Sequence, residues 1–321
     1  MAKEKFLVTG AAGFIGSHSV DRLLAQGHKV IGVDNLRTGH LENLTSALLS
    51  PCFEFVDMDV SDESALRQLF QCHSFAGILH LAALVSVPES FKDPALNYHT
   101  NLAASDCLAR LCIDHGCKRI VFASSAAVYG NPVTLPNREA AEPQPLSPYA
   151  AAKLASEVML LGYRESYGLE TVCFRYFNVY GLRQDPRSPY SGVLSIFTER
   201  FQKGLPVTVY GDGEQTRDFV SVEDVARTNC HAVTADRIAS GRYNVCTGQA
   251  VSLNEVLCIY REAYPAAPPV QYTTARRGDI RHSLGDPSQL NSKLGIKAQV
   301  PFEQGLRTLI AGRSLDFLAD A

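Results

Sequence analysis

Nine cysteines are scattered through 321 residues without one C-x-x-C pair. That removes the usual spacing of a zinc or dithiol site, and no metal is expected. Cys107, Cys112, Cys117, Cys173 and Cys246 fall in apolar stretches and read as small buried hydrophobes suited to a reducing cytosol. No apolar run reaches the roughly 20 residues of a membrane span, and the first strand starts almost at Met1, which leaves no room for a signal peptide. A cytoplasmic protein without membrane contact is therefore expected. Net charge is only −3 and hydrophobic content 46%, which excludes a disordered chain and a basic nucleic-acid surface. There is no internal repeat or low-complexity tract. What remains is an ordinary globular chain of one large or two moderate domains.

The N-terminus carries a phosphate-binding pattern. The apolar strand Phe6-Leu7-Val8 runs into Thr9-Gly10-Ala11-Ala12-Gly13-Phe14-Ile15-Gly16, then a helical pattern over 18–26. A second strand, Lys29-Val30-Ile31-Gly32-Val33, ends at Asp34. Glycines let the backbone approach a pyrophosphate, and the helix N-terminus offers it unpaired N–H groups. An acid at the end of the second strand can take both ribose hydroxyls of an adenosine and repels a 2′-phosphate. The spacing is G-x-x-G-x-x-G rather than G-x-G-x-x-G. Strand, turn, helix and acid together predict dinucleotide binding, with NAD favoured over NADP; a plain tight βα turn is the bland alternative.

Further strands are expected at 53–56, 77–81, 119–123 and 170–175, with helices over 64–71, 97–115 and 149–167. This alternation predicts an α/β doubly wound parallel sheet, a Rossmann arrangement. Beyond Gly181 the pattern loosens and is richer in Pro and Gly, as in a smaller C-terminal substrate-binding lobe. The expected division is a nucleotide-binding domain over 1–180, with 218–248 returning to it, and a lobe from 181–217 and 249–321.

The most informative segment is Ser147-Pro148-Tyr149-Ala150-Ala151-Ala152-Lys153. Ser147 suits an N-cap and Pro148 the first helical position. Positions i and i+4 share a helix face, so Lys153 lies beside Tyr149. A nearby ammonium favours the phenolate, which can then serve as a general base. A tyrosine merely packed on a lysine stem is the bland reading of the pair alone.

Taken in order, Thr9 to Gly16, His80-Leu81-Ala82-Ala83, Ser124-Ser125-Ala126-Ala127-Val128-Tyr129-Gly130, Tyr149-x-x-x-Lys153, Phe174-Arg175-Tyr176-Phe177-Asn178 and Arg217-Asp218-Phe219-Val220 resemble the extended short-chain dehydrogenase/reductase family, in particular its nucleotide-sugar epimerases and dehydratases. The likeness covers nearly the whole chain. It implies tightly held NAD and a UDP-sugar bound by the C-terminal lobe.

The resemblance also implies residue roles. Ser125, Tyr149 and Lys153 are the catalytic set, with Ser124 the lesser candidate for the serine. Ser125 would bond the sugar O4, and Lys153 would hold the phenolate and the nicotinamide ribose. Gly10, Gly13, Phe14, Ile15, Gly16, Asp34, Asn35, Asp59, Val60, Leu81, Ala82, Ala83, Asn101 and Tyr176 complete the cofactor set. Asp59 can equally cap the next helix, and Asn101 can equally be an exposed helical residue. Arg217 and Arg276 are expected on the diphosphate, where guanidinium forks suit phosphate oxygens. Asn178 would bond diphosphate or sugar and Asp279 the ribose, while the stretch 189–193, ending at Val193, lines the base pocket. Ser86, Tyr210 and Ser283 complete the substrate set. Arg183 and Arg187 read as surface charges.

Reaction type follows from what is missing. The dehydratase branch carries an Asp-Glu pair after the active-site serine, where this chain has Ala126-Ala127. A reductase exchanging NADPH is disfavoured by Asp34. The resemblance therefore implies 4-epimerisation: Tyr149 removes the O4 proton as hydride leaves C4, the 4-keto sugar turns over, and hydride returns to its other face. Ser283 stands where glucose-restricted epimerases carry tyrosine, and Val85 where they carry lysine. Those differences favour UDP-GlcNAc/UDP-GalNAc, with UDP-glucose or UDP-glucuronate as alternatives. A sensor that binds the dinucleotide without turnover is the reading from another class. A homodimer through helices 97–115 and 149–167 is implied; alternatively both helices only cover their own sheet.

Overall fold

The computed structural model describes residues 4–186, 192–275 and 280–313. Strand β1 (Lys5–Thr9) leads through the glycine turn into helix α1 (Phe14–Ala25), then β2 (Lys29–Asp34) and β3 (Phe53–Asp57). There follow α2 (Glu63–Cys72), β4 (Gly77–His80), α3 (Val87–Lys92), α4 (Pro94–Asn97), α5 (Ala104–Asp114), β5 (Arg119–Ser125), α6 (Pro148–Tyr167) and β6 (Glu170–Tyr176). The later part holds β7 (Asn178–Tyr180), α7 (Val193–Gln202), β8 (Thr208–Tyr210), β9 (Thr216–Arg217), β10 (Phe219–Ser221), α8 (Val222–Thr234) and β11 (Gly241–Val245).

Seven strands form one parallel sheet in the order β11-β6-β5-β4-β1-β2-β3. Alternate residues of each strand face opposite layers, as the pleat requires. Phe6, Val8, Val121 and Phe174 join the layer that includes α1 and α8, while Leu7, Ile78, Phe122 and Cys173 join the layer with α2, α5 and α6. A parallel sheet covered on both faces buries near-continuous apolar strands, and β4 is buried throughout. A separate apolar cluster gathers Tyr180, Leu194, Phe197, Phe219, Tyr260 and Leu306 from the second half of the chain. The five cysteines read as buried hydrophobes are all buried. Among the described residues no helix is long and apolar enough to cross a membrane.

Two departures from the sequence reading shape the site. The helix expected over 97–115 is divided: α4 ends at Asn97, a π-helical turn spans Tyr98–Ala103, and α5 follows. The wider turn releases backbone groups from the helical ladder, a device often found at functional sites. Strand β5 continues to Ser125 rather than stopping at Ala123, and Ser125 pairs in register with Tyr176. The serine is thus the last residue of the strand, fixed by the sheet rather than by a loop.

Candidate active site

The strand ends at one edge of the sheet converge on the predicted residues, the place where open α/β sheets bind ligands. At the end of β1, Gly10 has φ +69°, and a Cβ there would sit 2.7 Å from the Ala82 nitrogen. A Cβ on Gly16, one turn into α1, would lie 1.9 Å from the Gly10 carbonyl oxygen. Helix α1 begins after Gly13 without any side-chain cap, so the N–H groups of Phe14 and Ile15 face outward from its first turn. This is a cradle for an anion that only glycine permits.

Asp34 ends β2 and is buried. Its carboxylate accepts from the Ala12 and Leu36 nitrogens at 3.0 and 2.9 Å. Burial raises its pKa, opposed by those backbone bonds and by one from Gly13. The acid is held in one orientation beside the glycine turn, which fits the ribose of an adenosine. Asn35 donates to Asp59 at 2.8 Å. Burial works to raise the Asp59 carboxyl, but bonds from Ser61 and Asn35 carry it below its ordinary range. Asp59 does not cap the next helix: Asp62 does, accepting from the Ala65 nitrogen. Val60 is buried nearby. The Thr9 hydroxyl accepts from the Leu81 and Ala82 nitrogens, both at 3.2 Å, and so fixes the segment opening into Ala83.

Asn101 lies in the π-turn and is buried, not exposed. Its side chain accepts from the Leu84 nitrogen and donates to the Leu84 carbonyl. Its own carbonyl accepts from Ser156 of α6 at 2.9 Å. Asn101 therefore couples the segment after β4 to the helix bearing Tyr149 and Lys153.

Ser147 caps α6 as expected, accepting from the Ala150 nitrogen, with Pro148 in the first turn. Tyr149 and Lys153 are buried, at 9% and 2% exposure. Burial raises the Tyr149 pKa, and a hydrogen bond with Ser125 works against the rise. The Lys153 ammonium stands 4.7 Å over the Phe122 ring and 6.0 Å from the Tyr149 ring centroid. Burial pushes its pKa down to about 7, with Glu157 opposing. His80, buried between Thr9 and Ser105, is pushed down to about 3 by burial and by Lys153. It is neutral at ordinary pH.

Glu157 continues the same helix face one turn further. It is fully buried, and Arg175 grips it in bidentate fashion at 2.7 and 2.9 Å. The Ser124 hydroxyl donates to Glu157 as well. Ser124 is thus committed to the interior, which leaves Ser125 as the serine beside Tyr149.

Beyond Ser125 lies a cavity of about 350 Å³, within the range of small-molecule sites. Ser125, Asn178, Arg217 and Ser283 line it, as does Tyr176. The Tyr176 hydroxyl, however, turns away to donate to Asn229 at 2.6 Å. Tyr149 and three other substrate candidates are not among the residues that line the cavity. Ser86 is buried, and its hydroxyl caps α3 by accepting from Glu89. Val193 opens α7 and packs on the second-half apolar cluster. Tyr210 ends β8 and is exposed. Arg276, Asp279, Arg187 and the 189–191 part of the expected base pocket lie outside the described residues. Arg183 pairs with Asp21 at 2.7 Å, a contact with α1 rather than a loose surface charge.

The sequence reading missed Asn137 and His282, which also line the cavity. His282 shares a 2.9 Å bond with Thr216. Asn137 forms a parallel bridge with Gly285. No local pattern marks either one; long-range pairing brings them in. Asp218 braces the same wall, accepting from the nitrogens of Thr247, Gly248 and Gly285. Among the described residues no cluster of His, Cys, Asp or Glu could hold a metal ion.

The chain is similar to known proteins along nearly its whole length. The model of the NAD dependent epimerase/dehydratase family matches residues 6–246. A UDP-glucose 4-epimerase of Mycolicibacterium smegmatis is 41% identical over 94% of this chain and 95% of its own length. The structure of a UDP-N-acetylglucosamine 4-epimerase from Methanobrevibacter ruminantium, in complex with UDP-N-acetylmuramic acid, superposes with a TM-score of 0.90 at 37% identity, covering 97% of this chain and 98% of that one. A UDP-glucose 4-epimerase from Thermus thermophilus in complex with NAD gives 0.86 at 40% identity, covering 96% and 98%.

Proposed function

Because the chain belongs to the NAD-dependent epimerase/dehydratase family, we propose that it is an NAD-dependent UDP-sugar 4-epimerase and that its preferred pair is UDP-GlcNAc and UDP-GalNAc. One observation carries the reading: buried Tyr149 and Lys153 lie beside Ser125, which opens at the sheet edge into a cavity that also presents Arg217 and Asn178. The glycine cradle and braced Asp34 would hold NAD, the cofactor with which the Thermus relative was solved in complex. NAD, when bound, supplies the acceptor for the C4 hydride. The protein's own residues handle the proton: Ser125 holds the sugar O4 hydroxyl, and Tyr149 takes its proton. Lys153 places positive charge near the phenol. Arg217 and Asn178 anchor the diphosphate end, with Arg276 assigned to the same task and Asp279 to the nucleotide ribose. A regulator that only senses the dinucleotide would leave the buried Ser125–Tyr149–Lys153 set without a purpose.

The N-acetyl preference rests on Ser283, which lines the cavity where a tyrosine would occupy space. Relatives named UDP-glucose and UDP-glucuronate 4-epimerases keep those sugars as the second reading. Incubation with each UDP-sugar, with products resolved by NMR, tests the choice. Ser283→Tyr is expected to reduce turnover of the N-acetylated pair by roughly ten- to a hundred-fold while sparing UDP-glucose and UDP-galactose, because overfilling a site costs about 1–3 kcal/mol. Equal loss on both pairs would refute the gate.

We assign NAD to residues 1–180 with 218–248, and the UDP-sugar to the lobe of 181–217 and 249–321; the separate second-half apolar cluster supports that division. We also propose a homodimer. Phe91, Tyr98, Val158 and Tyr167, exposed on α3, the π-turn and α6, support pairing through these helices. Light scattering should give twice the chain mass at micromolar concentration; a monomer would refute it.

A further inference from the structure

Buried polar atoms in native proteins nearly always have a hydrogen-bond partner, so an exception in a cavity wall asks for one. Asn137 is 4% exposed and lines the cavity shared by Ser125 and Ser283. Its Oδ1 is buried and has no partner. Among the described residues, no other side chain lining this cavity has such an atom.

The structural ties of residue 137 are made by its main chain. Its nitrogen donates to the Leu284 carbonyl at 2.8 Å. Its carbonyl accepts from the Asp286 nitrogen and from Asn244 Nδ2, both at 2.9 Å. These bonds dock the strip ending at Gly285, which carries Ser283, against the segment after β5. They survive any change of side chain. The carboxamide is therefore positioned by the fold without being used by it, and an unpaired acceptor beside a sugar site is matched by a hydroxyl or amide N–H.

We propose that Asn137 is a substrate-binding residue whose carboxamide hydrogen-bonds the sugar ring, not the nucleotide, in the cavity between Ser125 and Ser283. The inference rests on the UDP-sugar reading of that cavity. It adds a specificity contact from the segment between β5 and α6, which carries no motif at this position.

The test compares wild type with Asn137→Ala and with Asn137→Leu, which keeps the side chain's bulk without its polar atoms. Steady-state KM and kcat are measured with UDP-GlcNAc and UDP-glucose, Kd with UDP alone, and Tm by calorimetry. Both variants are expected to hold or raise Tm, since an unpaired buried acceptor is removed. KM should rise about ten-fold for a UDP-sugar, the loss of one hydrogen bond, with kcat changed far less, as for a contact made equally in ground and transition states. The Kd for UDP should stay within about two-fold. Unchanged KM in both variants would overturn the contact. Equal weakening of UDP and UDP-sugar would also overturn it, by showing a disturbed wall. A wild-type protein that turns over no UDP-sugar would overturn the functional reading itself, and this contact with it.

Discussion

Tyr149→Phe is expected to lower turnover by roughly two to four orders of magnitude, the range for losing a general acid–base group, in a protein that stays folded and keeps its cofactor. The ring is buried at the start of α6, and phenylalanine preserves that packing. What disappears is the phenolic oxygen beside Ser125. Ser125 alone cannot replace it, because an unassisted hydroxyl is far too weak a base near neutral pH. Single-turnover kinetics under saturating UDP-sugar would isolate the chemical step. Circular dichroism and the absorbance of bound nucleotide would establish that only chemistry is lost. Near-wild-type turnover would rule Tyr149 out as the proton acceptor.

A loss of comparable size, with a different pH signature, is expected for Lys153→Met. Burial already raises the Tyr149 pKa, and burial holds Lys153 down to about 7 despite Glu157. Removing the ammonium takes away positive charge near the phenol, so the phenol's pKa rises further. The base form of Tyr149 is then reached only at higher pH. The acid limb of the activity profile should therefore move upward. Residual activity should rise with pH above the wild-type optimum, where wild-type Lys153 is itself losing its proton. Methionine matches the lysine stem and leaves Phe122 covered. The Glu157–Arg175 pair keeps its own partners, so the fold is expected to persist. A profile that keeps its acid limb in place would show that Lys153 does not tune the tyrosine.

Much of the site was readable because its logic is local. The glycine turn, the strand before it and Asp34 after it form one short unit, and Gly10 and Gly16 are required by contacts within that unit or with the adjacent strand end. Tyr149 and Lys153 share a face because a helix has 3.6 residues per turn. Ser86 misled for an equally local reason: Ser86-Val87-Pro88-Glu89 is a helix start, and its hydroxyl is spent on the cap.

The sequence by itself determined the α/β class, the order of strands and helices, the cofactor cradle and the tyrosine–lysine pair, since hydrophobic period, capping and turn chemistry act over a few residues. The tertiary structure gave the physical reason why Ser125 rather than Ser124 serves the site: the two point to opposite faces of β5, and packing gives Ser124 to Glu157. It alone decided that the Lys153 charge lies over Phe122, that Asn101 is buried in a π-turn, and that Asn137 stands in the same wall as Ser283. Burial and the meeting of distant segments depend on how the whole chain shares its interior, and no window of neighbouring residues contains that information.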